Sequence, residues 1–171
     1  MTGDELRERT ERLAELLAEG ERTGCFDAVV EEMYAPEAVY TTDYAGVMCV
    51  RAEGIREIRA THYDRDMSLG WEGWSFPYQG IYVAPPDRAI AQWVNRGPGL
   101  REDGSHFETP GVSLLTYDEE GRIVDQRDFF DVAHQMRLCD ELEAAGLLNP
   151  KLKESWVLPM KQRLIEMLSG G

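Results

Sequence analysis

The chain has 171 residues, 43% of them hydrophobic, and a formal net charge of −14. Those numbers describe one domain with room for a core and a modest cavity, and they argue against disorder. A surface this acidic repels phosphate backbones and anionic lipids, which excludes nucleic-acid and membrane-surface partners.

The three cysteines, Cys25, Cys49 and Cys139, are odd in number and widely spaced. They match neither a zinc spacing nor a disulfide framework, which fits a reducing compartment. Met1 to Arg7 is charged, with no apolar signal core, and no stretch is long enough to span a bilayer. The expected location is cytoplasmic.

From Asp4 to Glu19, Leu6, Leu13, Leu16 and Leu17 recur at helical spacing, and Gly20 is expected to end the helix. A second helix is expected over Phe26–Met33, closed before Pro36. Glu37 to Thr42, rich in β-branched and aromatic types, reads as a strand. Asp43 to Arg51 has no clear pattern and is taken as a loop carrying Tyr44 and Met48. Glu53 to Tyr63 is helical again, with Ile55, Ile58 and His62 on one side.

Asp64 to Tyr78 is aromatic and irregular, and its Trp71, Trp74, Phe76 and Tyr78 suit either a lid or a core. Strands follow over Tyr78–Ala84 and Arg88–Asn95, joined by Pro85-Pro86-Asp87, with Gly97-Pro98-Gly99 ending the second. Ser105 to Tyr117 is a long strand kinked at Pro110-Gly111, and Asp118-Glu119-Glu120-Gly121 suits a hairpin turn. Gly121 to Asp131 is the last strand. A helix over Val132–Ala145 stops at Gly146, and a final amphipathic segment runs from Leu152 to Leu168 with Trp156 in it. This order is α+β: a curved antiparallel sheet wrapped around N-terminal helices, leaving a cone-shaped cavity. The whole chain, 1–171, reads as a single domain with a core over about 24–135 and a helical extension over 150–169.

Alternate residues of the last strand share a face, so Gln126, Asp128 and Phe130 lie together. If that face lines a closed pocket, Asp128 is a lone carboxylate beside an aromatic ring. Burial disfavours its charge and raises its pKa, as an acid/base catalyst requires. Trp93 and Asn95 likewise share a face. Asp131 is placed to cap the following helix. His62 suits either a general base or a partly buried structural histidine. His106 and Glu108 face the same way but lack a third ligand, so no metal is expected.

Three pieces of sequence resemble the SnoaL-like branch of the nuclear transport factor 2-like superfamily: Phe26 to Tyr40, Glu53 to Ile58, and Gly111 to Tyr117 followed by Gly121 to Val124 and Arg127 to Asp131. That superfamily includes polyketide cyclases, ketosteroid isomerases, dehydratases and limonene-type epoxide hydrolases. The resemblance implies that Asp128 is the pocket aspartate used for proton transfer. It also implies that Tyr40 matches a tyrosine that holds the attacking water in the epoxide hydrolases. The arginine and aspartate of those hydrolases fall at Trp93 and Asn95, and their water-holding asparagine at Thr42. The arrangement that divides acid from base roles there is therefore not carried over.

The expectation is a cofactor-independent acid/base enzyme acting on a hydrophobic, polyketide-like or polycyclic small molecule by cyclisation, isomerisation or dehydration. Asp128 would move the proton, while Asn95 and Tyr40 would hydrogen-bond the oxygen that gains charge. Trp93, Gln126, Phe130, Trp74, Tyr44 and His62 would contact substrate. Epoxide opening is the alternative reaction, and a non-catalytic binding or dimerisation module the alternative class. The resemblance also implies a homodimer through the outer sheet face.

Overall fold

The computed structural model describes residues 1–44 and 46–169. Helix α1, Gly3–Thr23, opens on a capping box in which Thr2 and Glu5 satisfy each other's backbone N–H groups. It continues past the expected stop at Gly20 and ends at Gly24. Gly20 stays helical because the Phe26 ring packs onto it; a Cβ there would lie 2.3 Å from a ring carbon. Helix α2, Asp27–Met33, follows and leads directly into β1, Tyr34–Tyr44.

The expected loop over Asp43 to Arg51 is instead a hairpin. β1 pairs antiparallel with β2, Met48–Glu53, through Thr42 opposite Val50 and Asp43 opposite Cys49. The Asp43 carboxylate accepts the Gly46 N–H at 2.7 Å and shapes the turn. Ala45 lies outside the described residues. Helix α3, Ile55–Ile58, does not continue as an α-helix; Arg59–Asp66 is π-helical, with the Met67 N–H donating to the His62 carbonyl. Such widened turns recur at functional sites, and this one carries His62, Tyr63 and Asp66.

The remaining strands are β3, Tyr78–Ala84; β4, Arg88–Leu100; β5, His106–Tyr117; and β6, Ile123–Phe130. The sheet order is β2-β1-β6-β5-β4-β3. Every neighbouring pair is antiparallel except β1 and β6, which run parallel and correct the all-antiparallel expectation. Gly97-Pro98-Gly99 does not end β4. The register slips between Arg96 and Leu100, and pairing resumes at Leu100 opposite His106. An irregularity of this kind accommodates a proline without a donor and small residues without breaking the strand.

Helix α4, Val132–Ala144, starts where the Asp131 carboxylate accepts the His134 N–H at 2.9 Å. The C-terminal extension forms three joined pieces where one amphipathic segment was expected: α5, Pro150–Leu152, a π-helical turn over Lys153–Val157, and α6, Leu158–Ser169. Two apolar clusters result. One fills the cone beneath α1 and α2, with Leu13, Val29, Met33, Ile58, Leu115 and Ile123. The other joins the mouth of the cone to α4 and the extension, with Tyr44, Trp74, Leu138, Leu142, Leu152 and Met160.

Gly111 sits opposite Trp93 in the sheet, and a Cβ there would lie 2.3 Å from the indole ring. Gly111→Ala therefore has to displace Trp93. The expected cost is about 1–3 kcal/mol, read as a lowered urea midpoint with an unchanged m-value.

Candidate active site

Period-two alternation on four strands builds the site. β6 turns Gln126 and Asp128 inward, and the sheet register sets Thr42 of β1 on one side of Asp128 and Ser113 of β5 on the other. Asp128 is 7% exposed. Its Oδ1 accepts from Ser113 Oγ at 2.7 Å and from Gln126 Nε2 at 3.0 Å, while Oδ2 accepts only the Tyr40 hydroxyl at 3.2 Å. Oδ2 is thus the oxygen with capacity left for a ligand.

These donors are themselves held. Trp93 Nε1 donates to Ser113 Oγ at 2.9 Å, a contact the bare Cα of Gly111 permits. The Tyr34 hydroxyl donates to Gln126 Oε1 at 2.6 Å. A phenol has one proton, so the Tyr63 hydroxyl, 2.9 Å from that of Tyr34, donates to it. Chains of neutral donors from both sides therefore end on one carboxyl.

The cavity at this point measures about 80 Å³. It is lined by Leu13, Leu17 and Met67 from the helical side, by Tyr40, Thr42, Tyr44, Trp93, Asn95, Ser113, Gln126, Asp128 and Phe130 from the sheet, and by His62, Tyr63, Asp66, Trp71, Phe76, Tyr78 and Trp156 around them. Burial pushes the Asp128 carboxyl up to about 6, against the opposing pull of Ser113, Gln126 and Tyr40. Burial also holds the Tyr40 phenol well above its ordinary range, helped by the Asp128 charge, so Tyr40 is a donor. Burial alone pushes His62 down to about 3, leaving a neutral imidazole stacked on Tyr40 at 4.0 Å between ring centroids. His62 Nδ1 and Thr42 Oγ1 are buried and have no hydrogen-bond partner in the described chain. Both belong to residues of this cavity. Unpaired buried polar groups are costly, and here they cluster where a ligand would meet them.

Of the residues singled out from sequence, Asp128, Asn95, Tyr40, Trp93, Gln126, Phe130, Tyr44 and His62 all line this one cavity. Trp74 does not line it; it packs behind Trp71, 4.7 Å away between ring centroids, and is 4% exposed. The Asn95 side-chain N–H groups are committed to Gln135 Oε1 at 3.1 Å and Thr109 Oγ1 at 3.4 Å. They face a buried polar cluster and are not free to meet a developing oxyanion. Ser113, Tyr34, Tyr63 and Asp66 were not anticipated from sequence. Ser113 could have been found by counting two residues on from Gly111, but Tyr34 and Asp66 required the three-dimensional pairing. Asp66 is bound by the Arg65 guanidinium at 2.7 and 3.2 Å, and burial raises its pKa against that pairing.

Outside the cavity, Glu108 pairs with Arg96, and His106 is exposed. Among the described residues no three His, Cys, Asp or Glu side chains are grouped to hold a metal ion. Also among them, no helix is long and apolar enough to cross a membrane.

Solved structures resemble this chain over most of its length. A nuclear transport factor 2-like protein of unknown function from Burkholderia pseudomallei K96243 superposes with a TM-score of 0.58 at 18% identity, covering 81% of this chain and 98% of its own. A SnoaL-like family protein from Agrobacterium tumefaciens C58 gives 0.53 at 19%, covering 72% and 98%. The epoxide hydrolase/cyclase-like enzyme SalBIII, of pyran ring formation in the polyether salinomycin, gives 0.55 at 18%, covering 75% and 94%. No protein-family model and no curated protein matches the sequence. The chain has the nuclear transport factor 2-like fold.

The raised Asp128 pKa fixes the sign of a pH effect. Between about 4 and 6 the folded state keeps a proton that the unfolded state has lost, so this group's contribution to stability falls as pH rises through that window. The difference in unfolding free energy between wild type and Asp128→Asn should therefore shift by up to about 3 kcal/mol from pH 4 to pH 7, to the disadvantage of wild type. Urea titrations of both proteins across that range check it.

Proposed function

We propose that this protein is a cofactor-independent acid/base enzyme that moves a proton at a carbon beside a carbonyl in a hydrophobic small molecule. The observation that carries the reading is the Asp128 carboxyl, raised to about 6 by burial, in a cavity that also holds the unpaired Thr42 and His62. A pKa near 6 leaves mostly carboxylate at neutral pH, yet makes it a stronger base than a solvated aspartate.

Asp128 Oδ2 takes the proton from the α-carbon. The C–H electron pair becomes the enolate double bond, and negative charge moves to the carbonyl oxygen. A neutral His62 N–H is the donor that meets that charge, and the Tyr40 proton, held on Asp128 Oδ2 at rest, is released to join it once Oδ2 is protonated; the N–H groups of Asn95 stay committed to Gln135 and Thr109. Protonated Asp128 then returns its proton to another carbon, completing isomerisation, or to a departing β-hydroxyl, completing dehydration. Trp93, Gln126, Phe130, Tyr44 and the stacked His62 shape the chamber.

Epoxide opening is the second reading. Thr42 Oγ1, unpaired beside Tyr40 on β1 and opposite Asp128 in the sheet, suits a held water. Isotopic water separates the two, since only hydrolysis leaves solvent oxygen in the product.

Because the substrate is unidentified, the first test uses small cyclic ketones in deuterium oxide, with α-hydrogen exchange followed by NMR. Asp128→Asn is expected to lower the enzyme-dependent exchange by about 10²–10⁴-fold. Exchange that survives this substitution removes Asp128 as the proton carrier. Binding of the ketones without exchange in either protein favours a non-catalytic module.

We also propose that the chain forms a homodimer. Tyr82, Ile90 and Leu114 lie opposite one another across β3, β4 and β5, and all three are exposed on the outer face. Solvent-facing apolar rows of this kind suit a second copy of the chain. Wild type should run as a dimer by light scattering and Ile90→Asp as a monomer; identical masses overturn the assignment.

A further inference from the structure

A second cavity, of about 250 Å³, opens directly outside the first. The two share Asp66, Trp71 and Trp156, so they are neighbouring chambers with these side chains at the junction. The inner chamber alone, at about 80 Å³, falls well below the roughly 300–1,000 Å³ of typical small-molecule sites. It admits the reacting end of a molecule, and the remainder has to lie outside.

The outer chamber is built largely by the C-terminal extension. Met160, Pro159 and Trp156 form one wall, while Leu69 and Met48 face them from the helix–sheet junction and the β1–β2 hairpin. The extension is seated closely: a Cβ on Gly70 would lie 2.5 Å from the Leu152 backbone nitrogen.

This mostly apolar chamber contains two guanidinium groups, Arg65 and Arg163. Arg65 is neutralised by Asp66. The other cations of the extension that have acidic partners point elsewhere, Lys153 to Glu143 and Lys161 to Asp140. Among the described residues Arg163 has no carboxylate partner, and the Met48 sulfur, a weak acceptor, is the one side-chain group to which it donates. In a chain of net charge −14, a cation left uncommitted at a cavity wall is available to an anion from outside.

We propose that the outer chamber is a substrate subsite for an anionic group, a carboxylate or sulfonate on an apolar arm, bound by Arg163. This rests on the reading of the inner chamber as the reacting site. It narrows the substrate class to amphipathic acids whose ring or carbonyl end enters past Trp71 and Trp156, while the acid stays with Arg163. Guanidinium binds such groups through paired N–H donors, and the apolar walls take up the arm that carries the acid.

The test uses two fluorescent probes with the same ring system: 1-anilinonaphthalene-8-sulfonate, which carries the anion, and N-phenyl-1-naphthylamine, which does not. Arg163 is exposed, so Arg163→Gln should fold normally. It is expected to raise the Kd of the sulfonate about tenfold and leave that of the neutral probe within about twofold. Ser155→Trp, which fills the chamber from its wall, should abolish binding of both. Unchanged sulfonate affinity in Arg163→Gln, equal weakening of both probes, or wild-type binding by Ser155→Trp each overturns the proposal. Probe binding is read without turnover and with substitutions outside the inner chamber, so loss of the proton-transfer reading would leave this result standing, and the two failures are distinguishable.

Discussion

The constraint on which the site depends is an acid buried without a countercharge. Among the described residues no arginine or lysine lines the inner chamber, and burial holds the one histidine there neutral. Asp128 is supported only by neutral donors: Ser113, Gln126 and Tyr40. A guanidinium in their place would have lowered the pKa, whereas uncharged donors only moderate the rise that burial causes. Much of the local architecture serves this arrangement. Gly111 lets Trp93 lie flat enough to hold Ser113, and the parallel pairing of β1 with β6 sets Tyr40 and Thr42 beside the carboxyl. The widened turn after α3 brings Tyr63 to Tyr34, which steadies Gln126.

The identity of Trp93 has a chemical meaning in this setting. The resemblance to epoxide hydrolases leads to an arginine at this position and an acid at Asn95, which together separate acid and base roles. Here Trp93 contributes an N–H and apolar bulk, and Asn95 is tied to Gln135 and Thr109. The second carboxyl of the cavity is Asp66, from a different element and with its own arginine. Two carboxyls in such different surroundings, one held by neutral donors and one by a cation, cannot share a proton role equally. In the proposed reaction the unshared base is Asp128.

Much of this was legible in sequence where periodicity was local. The two-residue alternation of Gln126, Asp128 and Phe130 placed all three at the cavity, and the Asp131 cap was recognisable from the residue that follows it. Three boundaries were misread because a long-range contact reverses a local signal. Gly20 reads as a helix stop until Phe26 is seen to need its space. Gly97-Pro98-Gly99 reads as a strand break until β5 is present to absorb a register slip. Asp43 to Arg51 lacks a strong strand pattern, but pairing across the hairpin makes it one. The donors behind the first layer were hidden for the same reason. Nothing in the neighbourhood of Tyr34 says that its hydroxyl meets Gln126, 92 residues away.

The C-terminal extension changes what the fold can do. A curved sheet around helices provides a cone open at one end. In this chain Trp156 reaches back over that end, with its ring centroid 5.9 Å from Tyr44, 6.4 Å from Phe130 and 5.6 Å from Trp71. Aromatic edges meeting around the mouth exclude water from the Asp128 carboxyl, and exclusion of water is what raises its pKa. Trp156 of the extension thus adds to the burial that raises the Asp128 carboxyl, and with Pro159 and Met160 it also walls the outer chamber that a substrate of the proposed reaction would pass.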